Sequence, residues 1–406
     1  MLKKLHGRKL AVCLIGGAMY ALFSAFGWQA EHGGVIWAGG ALLVAALLVW
    51  PIAALLAVLL ERGYTRALRR EKTFHAGRAF AFMLACYVPM FCVAFPGSFA
   101  YDVPYQLRQV VTGAYSTHHP LLHTLALGGL LQLGRALGDI NLGAALYTAL
   151  QMALLAGCFA LTCGSIARQS GARAAKRAAV FFALYPLNMV MAVNATKDVL
   201  FGGFFALTLA LLNEIQEKPS RGLALKIATC GALAVMLRNN MAYAALVWLA
   251  LLTIGLRKGE KSAALAMLLA LAVGLCGNAA LKRATRAESG DMSEMLSWPI
   301  QQLARARLYD EERLTDAEKE AIDELMPGEA WACYDPTISD PVKFEFDTQA
   351  FRADVKKYVG VWLSVGKKCA GTYLDATMAL TYPFFYPYRE YRVSGYYVQM
   401  GMSDAY

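Results

Sequence analysis

Apolar residues gather in ten long runs, at roughly 9–28, 35–60, 79–96, 120–138, 143–166, 178–193, 199–213, 223–237, 241–256 and 262–280, with short polar stretches between them. A helix needs about 20 mostly apolar residues to cross the hydrocarbon of a bilayer, so the pattern predicts an all-α polytopic membrane protein. If all ten runs crossed, the basic loop 167–177 (Arg168, Arg173, Lys176, Arg177) would lie across the membrane from the basic loop 61–78, against the positive-inside rule. The weakest run is 120–138, which begins at Pro120, carries His123 and Arg135, and contains Gly128 and Gly129. Laid along the outer surface as a juxtamembrane helix, it leaves nine spans and a cytoplasmic N-terminus. The inner segments then hold 20 basic residues, and the outer loops before residue 281 hold four: Arg108, Arg135, Lys197 and Arg238. The first run leads within a few residues into a second, which reads as a retained anchor rather than a cleaved signal peptide.

After residue 280 the pattern changes. Residues 1–280 form the transmembrane domain, with an outer-face loop at 97–142, and residues 281–406 form a small, mainly helical extracytoplasmic region. Thr315 to Glu318 is a T-x-x-E capping box ahead of Ala317, Ala321, Ile322 and Leu325 at helical spacing. Phe351, Val355, Tyr358, Val359, Trp362 and Leu363 make one apolar stripe, which predicts a second helix packed on its own domain or on the membrane. The stretch from Tyr373 to Tyr397 is rich in aromatics, among them Tyr382, Phe384, Phe385, Tyr386, Tyr388 and Tyr391, suited to interfacial anchoring or to stacking on sugar rings.

Composition sharpens the picture. Of the 406 residues, 58% are hydrophobic and 17% charged, which does not suit a soluble surface. The net charge of +10 divides into 24 basic and 9 acidic residues before residue 281 and 15 and 20 after it. The basic residues sit in short clusters between apolar runs, so they mark topology and not a nucleic-acid face. Seven of the nine cysteines lie in apolar runs as small buried hydrophobes. Cys333 and Cys369 are the two in the polar region, where an oxidising compartment would permit a disulfide.

The unusual chemistry collects on one side. Nine spans place three polar stretches, Pro96 to His119, Asn194 to Asp198 and Arg238 to Asn240, on the outer face. The first carries Tyr101, Asp102, Arg108, His118 and His119, with His123 just beyond; the others add Lys197, Asp198, Arg238 and Asn239. One reading is a plain one, with Asp102 paired to Arg108 and the histidines in headgroup water. The other is a polar pocket, because membrane proteins usually place functional ionisable groups where spans end on one face. A carboxylate there can act as general base on a hydroxyl, and cations can stabilise a departing phosphate. Base and phosphate clamp together describe sugar transfer from a lipid-phosphate donor. A divalent cation held by Asp102, Asp198 and a histidine is an open alternative that the spacing does not decide.

These residues resemble the GT-C superfamily of integral-membrane glycosyltransferases, which includes the protein O-mannosyltransferases and the aminoarabinose transferases of lipid A. The resemblance lies in an acid just after an early span (Tyr101, Asp102), a stretch ending in a His-Pro element (His118, His119, Pro120), an apolar juxtamembrane helix, and a second acid in the next outer loop, Asp198 in NATKD. Val103 stands where that superfamily's first motif often carries a second acid. Finer features, LRNNMAY from Leu237, EMLSWPIQQLAR from Glu294 and YDPTISDPVK from Tyr334, resemble an uncharacterised family of bacterial polytopic membrane proteins. GT-C proteins often return through further spans after such a region, whereas this sequence ends at Tyr406.

The resemblance implies a GT-C-like helical bundle that moves a sugar from a polyprenyl-phosphate donor to a hydroxyl acceptor on a lipid, an envelope polymer or a protein. Catalysis would fall to Asp102, Asp198 and His119, and substrate binding to Tyr101, Arg108, His118, Lys197, Arg238 and Asn239. The competing classes are a transporter or flippase of lipid-linked precursors and a non-catalytic envelope scaffold. A transporter would hold coupling residues near the bilayer midplane, whereas the ionisable positions here lie near the ends of spans.

Overall fold

A computed structural model describes residues 8–33, 38–67, 73–253, 258–290, 292–384, 386 and 399–400. The architecture is helical almost throughout. Helices α1 (Arg8–Gly33) and α2 (Ala38–Ala67) come first. Ten more follow: α3 (Ala76–Val93), α4 (Val103–Thr112), α5 (Leu121–Ala136), α6 (Ile140–Ser170), α7 (Ala172–Leu184), α8 (Pro186–Ala192), α9 (Lys197–Glu217), α10 (Arg221–Leu237), α11 (Met241–Thr253) and α12 (Lys258–Thr285). The C-terminal part holds α13 (Ser297–Tyr309), α14 (Asp316–Leu325), α15 (Asp340–Phe344), α16 (Thr348–Ala353), α17 (Val355–Lys368) and α18 (Ala370–Thr381). Three two-residue strands, β1 (Ser98–Phe99), β2 (Asn194–Ala195) and β3 (Gln399–Met400), form a small sheet in the order β2-β1-β3, parallel between β1 and β2 and antiparallel between β1 and β3.

Among the described residues, five segments are long and apolar enough to cross a membrane: Cys13–Glu31, Ala76–Val93, Ile140–Ser170, Lys197–Glu217 and Gly259–Thr285. Leu43–Val58 and Met241–Ala250 are shorter apolar helices. The long helix α6 shows why this is a membrane pattern and not a soluble one. Its outward positions Leu142, Leu146, Leu150, Leu154 and Leu161 are exposed, while Tyr147, Thr148 and Gln151 are buried. In water that distribution would be inverted; beside lipid it turns Tyr147, Thr148 and Gln151 away from hydrocarbon.

Several expected elements differ in detail. The run 178–193 is broken after Tyr185, because Pro186 has no amide hydrogen to continue α7 and instead opens α8. Helix α10 has only 17 residues and α5 only 16, the latter about 24 Å long at 1.5 Å per residue. The apolar stripe from Phe351 to Leu363 is also divided: Asp354 accepts from the Lys357 amide to cap α17, so Phe351 belongs to α16. Tyr358 turns to the core while Val355, Val359 and Leu363 stay exposed. The T-x-x-E box is present as expected, with Thr315 Oγ1 accepting from the Glu318 amide and Glu318 Oε2 accepting from the Thr315 amide. Cys333 and Cys369 are both free thiols, the first exposed and the second buried. Lys3, Lys4, Phe385, Tyr388 and Tyr391 lie outside the described residues.

The compact units do not divide at residue 280. One comprises residues 1–62 with 291–392, and the other residues 63–290 with 393–406. In the first, Ala21, Ala25 and Phe26 of α1 and Ala45 of α2 pack with Met378, Ala379, Tyr382 and Tyr386, and Tyr382 donates to Glu31 Oε1 at 3.2 Å. Apolar helix ends that meet aromatics of the same region bury more surface than a cut at 280 would leave them.

In the second unit, α5 lies tightly on α6 through two glycines. A Cβ on Gly143 would stand 2.4 Å from Leu130 O, and one on Gly134 would stand 2.3 Å from the Gly143 amide nitrogen, so this is a small-residue helix contact of the kind common in membranes. Gly143→Val is expected to push α5 off α6 and to lower the unfolding temperature of the detergent-solubilised protein sharply. Gly129→Ala, with nothing within 4 Å of the added methyl, should leave it unchanged or raise it slightly, as replacing glycine within a helix does by roughly 0.5–1 kcal/mol. Equal melting of the two variants would refute the tight packing.

Candidate functional site

The site begins with backbone pairing between two loops that are 95 residues apart in sequence. Ser98 pairs with Asn194 and Phe99 with Ala195, and the Ser98 amide donates to Val193 O at 2.9 Å. Gly97, at φ +134°, lies so close to Thr148 that a Cβ would meet its hydroxyl at 2.2 Å, so only glycine fits this turn. Thr148 Oγ1 holds the same loop by donating to Pro96 O at 2.9 Å. This pairing sets the first turn of α4 beside the first turn of α9.

Asp102 and Lys197 meet there as an ion pair, each side chain 16% exposed. Asp102 occupies the N-cap position of α4 yet makes no capping bond. An N-cap aspartate ordinarily contributes about 1 kcal/mol to its helix; here the carboxylate is turned to Lys197 instead. Lys197 Nζ also lies 3.3 Å from His119 Nδ1, and His119 Nδ1 is 3.9 Å from Asp102 Oδ2. An ammonium group can only donate, so His119 Nδ1 accepts and its proton sits on Nε2. Burial and the neighbouring Lys197 charge depress the His119 pKa, which keeps the ring neutral. Lys197 and His119 both approach Oδ2 of Asp102.

Asp198 pairs with Arg238, whose guanidinium also stands 5.8 Å from the centre of the Phe201 ring. The two acids are therefore held by two different cations. Lys197 and Arg238, expected to face a donor phosphate, are instead each partnered by a carboxylate, because opposite charges at one helix end neutralise each other at short range. Asp102 pairs with Lys197 and not with Arg108, which lies exposed on α4. Tyr101 is exposed, and His118 is exposed with its ring edge-on to His119 at 4.6 Å between centroids. Asn239, exposed ahead of α11, lines a cavity described below. Among the described residues no group of three His, Cys, Asp or Glu side chains converges as a metal site.

Behind the ion pair lies a buried polar chain that the reading of the sequence did not assign. Gln106 Nε2 donates to Thr124 Oγ1 at 3.1 Å, and Thr124 in turn donates to Pro120 O. That orients Gln106 Oε1 toward His123 Nδ1 at 3.1 Å, so His123 is protonated on Nδ1 and its Nε2 accepts from Tyr147 OH at 2.7 Å. Gln151 Oε1 stands 3.2 Å from the same hydroxyl, and Gln151 Nε2 donates to Ala192 O at 3.0 Å and Asn194 O at 2.9 Å. The chain ties α4, α5, α6 and β2 together one turn beneath Asp102. Its signal was visible: Tyr147, Thr148 and Gln151 are the polar positions on one face of an otherwise apolar run.

A cavity of about 410 Å³ adjoins His119. Thr117, His119, Pro120 and Leu121 bring it to the start of α5, Asn239, Ala242 and Tyr243 to the start of α11, and Val235, Leu275, Asn278, Ala279 and Lys282 to α10 and α12.

Both buried histidines make stability depend on pH. Burial, then the Lys197 charge, lowers His119 to about 4 and His123 to about 3. An unfolded histidine takes a proton near pH 6.5, so between about pH 6.5 and 4 the unfolded chain binds more protons than the folded one. Stability is therefore full above pH 6.5 and is lost on acidification, by at most about 1.4 kcal/mol per pH unit for each histidine. Unfolding of the solubilised protein followed from pH 8 to 4 should show this slope, and His123→Gln should flatten it. Tyr147→Phe leaves His123 Nε2 without its donor and should cost about 1–3 kcal/mol at pH 7.5 in the same measurement; an unchanged midpoint would remove Tyr147 from the buried chain.

Comparison with curated proteins and with solved structures returned no match. The motifs at Leu237, Glu294 and Tyr334 all fall inside the segment where a family is recognised, and that segment also holds Lys197, Asp198 and the His-Pro element. Residues 110–405 match DUF6020, a family of unknown function, and the chain belongs to that family.

Proposed function

We propose that this protein is a membrane glycosyltransferase of GT-C type, working at the outer face of the cytoplasmic membrane with its N-terminus cytoplasmic. The observation that carries the reading is the convergence of Asp102, His119 and Lys197 from three separate chain segments beside a mainly apolar cavity. The donor is a sugar on polyprenyl phosphate, and the acceptor is a hydroxyl on a lipid, an envelope polymer or a protein.

Asp102 Oδ1 receives the acceptor's proton as the hydroxyl oxygen attacks the anomeric carbon. The new bond joins that carbon to the acceptor oxygen, the bond from the carbon to the phosphate oxygen breaks, and the electron pair leaves with polyprenyl phosphate. Attack from the face opposite the leaving group inverts the anomeric centre. Lys197 holds Oδ2, which fixes the direction of the carboxylate before reaction. Neutral His119 keeps Nε2–H available as a donor to a substrate oxygen, a role that a charged ring beside Lys197 would disfavour. Asp198 holds Arg238 at the neighbouring helix end and does not take a proton.

Asp102→Asn keeps the shape of the side chain but removes the proton acceptor. Transfer of a labelled sugar from a polyprenyl-phosphate donor in membranes should fall by about 10²–10⁴-fold, with the protein still expressed and folded. Full transfer by Asp102→Asn would overturn the assignment of the base.

A further inference from the structure

The cavity beside His119 has a direction. On α12, Leu275, Asn278, Ala279 and Lys282 recur at helical spacing along one wall, running from apolar to cationic toward the end of the helix. Val235 on α10 lies beside the apolar end. The cavity also meets the first turns of two helices, α5 at Pro120 and Leu121 and α11 at Ala242 and Tyr243. Helix N-termini carry partial positive charge and favour anions. No residue lining the cavity bears a carboxylate, and Lys282 is its one formal charge. Lys282 Nζ is held by a neutral group, Ser289 Oγ, at 2.7 Å, in contrast to Lys197 and Arg238, which are neutralised by Asp102 and Asp198.

We infer that Lys282 is the cation that receives the phosphate of the lipid donor, with the Val235 and Leu275 wall taking the first part of its hydrocarbon chain. A lone apolar molecule would leave the Lys282 charge without a counter-ion in the cavity, and a free inorganic anion would leave the apolar wall wet. A chain-bearing phosphate satisfies both ends at once. Its phosphate lies next to His119, which lines the same cavity and contacts the Lys197 that holds Asp102. The inference rests on the glycosyl-transfer reading, because it names the donor-binding residues for that reaction.

The test is binding of undecaprenyl phosphate to the purified full chain in lipid nanodiscs, with phosphatidylglycerol and inorganic phosphate as comparison probes. The wild type should bind the polyprenyl phosphate in preference to both. Lys282→Ala should weaken that binding at least about tenfold, Lys282→Arg should retain most of it, and Leu275→Trp should weaken it by filling the apolar end. Unfolding temperatures of the variants, measured alongside, confirm that the fold is kept. Wild-type binding that survives unchanged in Lys282→Ala overturns the inference and leaves the transfer reading standing. Failure of the wild type to bind the polyprenyl phosphate at all overturns the transfer reading, and this inference with it. Equal affinity for phosphatidylglycerol would make the cavity a general seat for membrane phospholipid and would overturn the donor assignment.

Discussion

The site depends on four residues of backbone pairing. Ser98–Phe99 and Asn194–Ala195 are the ends of two loops that follow different helices, and their parallel register decides that Asp102 and Lys197 share one place. Two short strands alone would not hold. Gln151 secures one of them by donating to Ala192 O and Asn194 O, and Thr148 secures the other through Pro96 O. Both anchors come from adjacent turns of α6, so a single rigid helix fixes the separation of the loops. Buried amide and hydroxyl groups of this kind are costly unless every partner is present, which makes the arrangement specific: a shift of either loop strands several of them at once.

That constraint explains the electrostatics. Once the helix ends are pinned, Asp102 and Lys197 have nowhere else to pair, and the carboxylate abandons the capping bond its position offers. His119 is then placed against an ammonium group in a buried setting, and both influences act in the same direction on its charge. His123 lies deeper and is neutral for the same reasons. The result is a cluster with one fixed anion, one fixed cation and two neutral rings whose tautomers follow from their partners. Such a cluster can present an oriented oxygen without solvent having to reorganise, which is the physical content of preorganisation.

Much of the helical layout was legible because it follows from apolar periodicity and length. Over their described residues the ten runs fall largely on helix, with the run 178–193 broken at Pro186. The gathering of Asp102, His119 and Lys197 was suggested only by their lying at the ends of spans on one face. What the sequence withheld was pairing: nothing in the spacing says that Asp102 meets Lys197 and not Arg108, or that Asp198 meets Arg238, since those choices follow from a strand register set by side chains on a third element. The grouping of α1 and α2 with residues 291–392 was hidden for a similar reason, because small alanines on α1 carry no mark of which aromatics they will cover.

The polar chain from Gln106 to Gln151 also bears on why the chemistry sits at the end of the helices and not deep among them. A charged group within the hydrocarbon is expensive unless paired, and each unsatisfied hydrogen bond there costs more than in water. Here the deeper layer is made of neutral groups bonded to one another, and charge appears only one turn further along the helices, where His119 adjoins a cavity. The neutral layer can therefore support the charged one without itself needing solvent, while the charged layer adjoins the cavity beside His119. The exposed leucines of α6 complete the arrangement: the same helix that faces hydrocarbon with Leu146 and Leu150 holds Tyr147 and Gln151 against the loops, so insertion of α6 into a bilayer and assembly of the site are consequences of one amphipathic face.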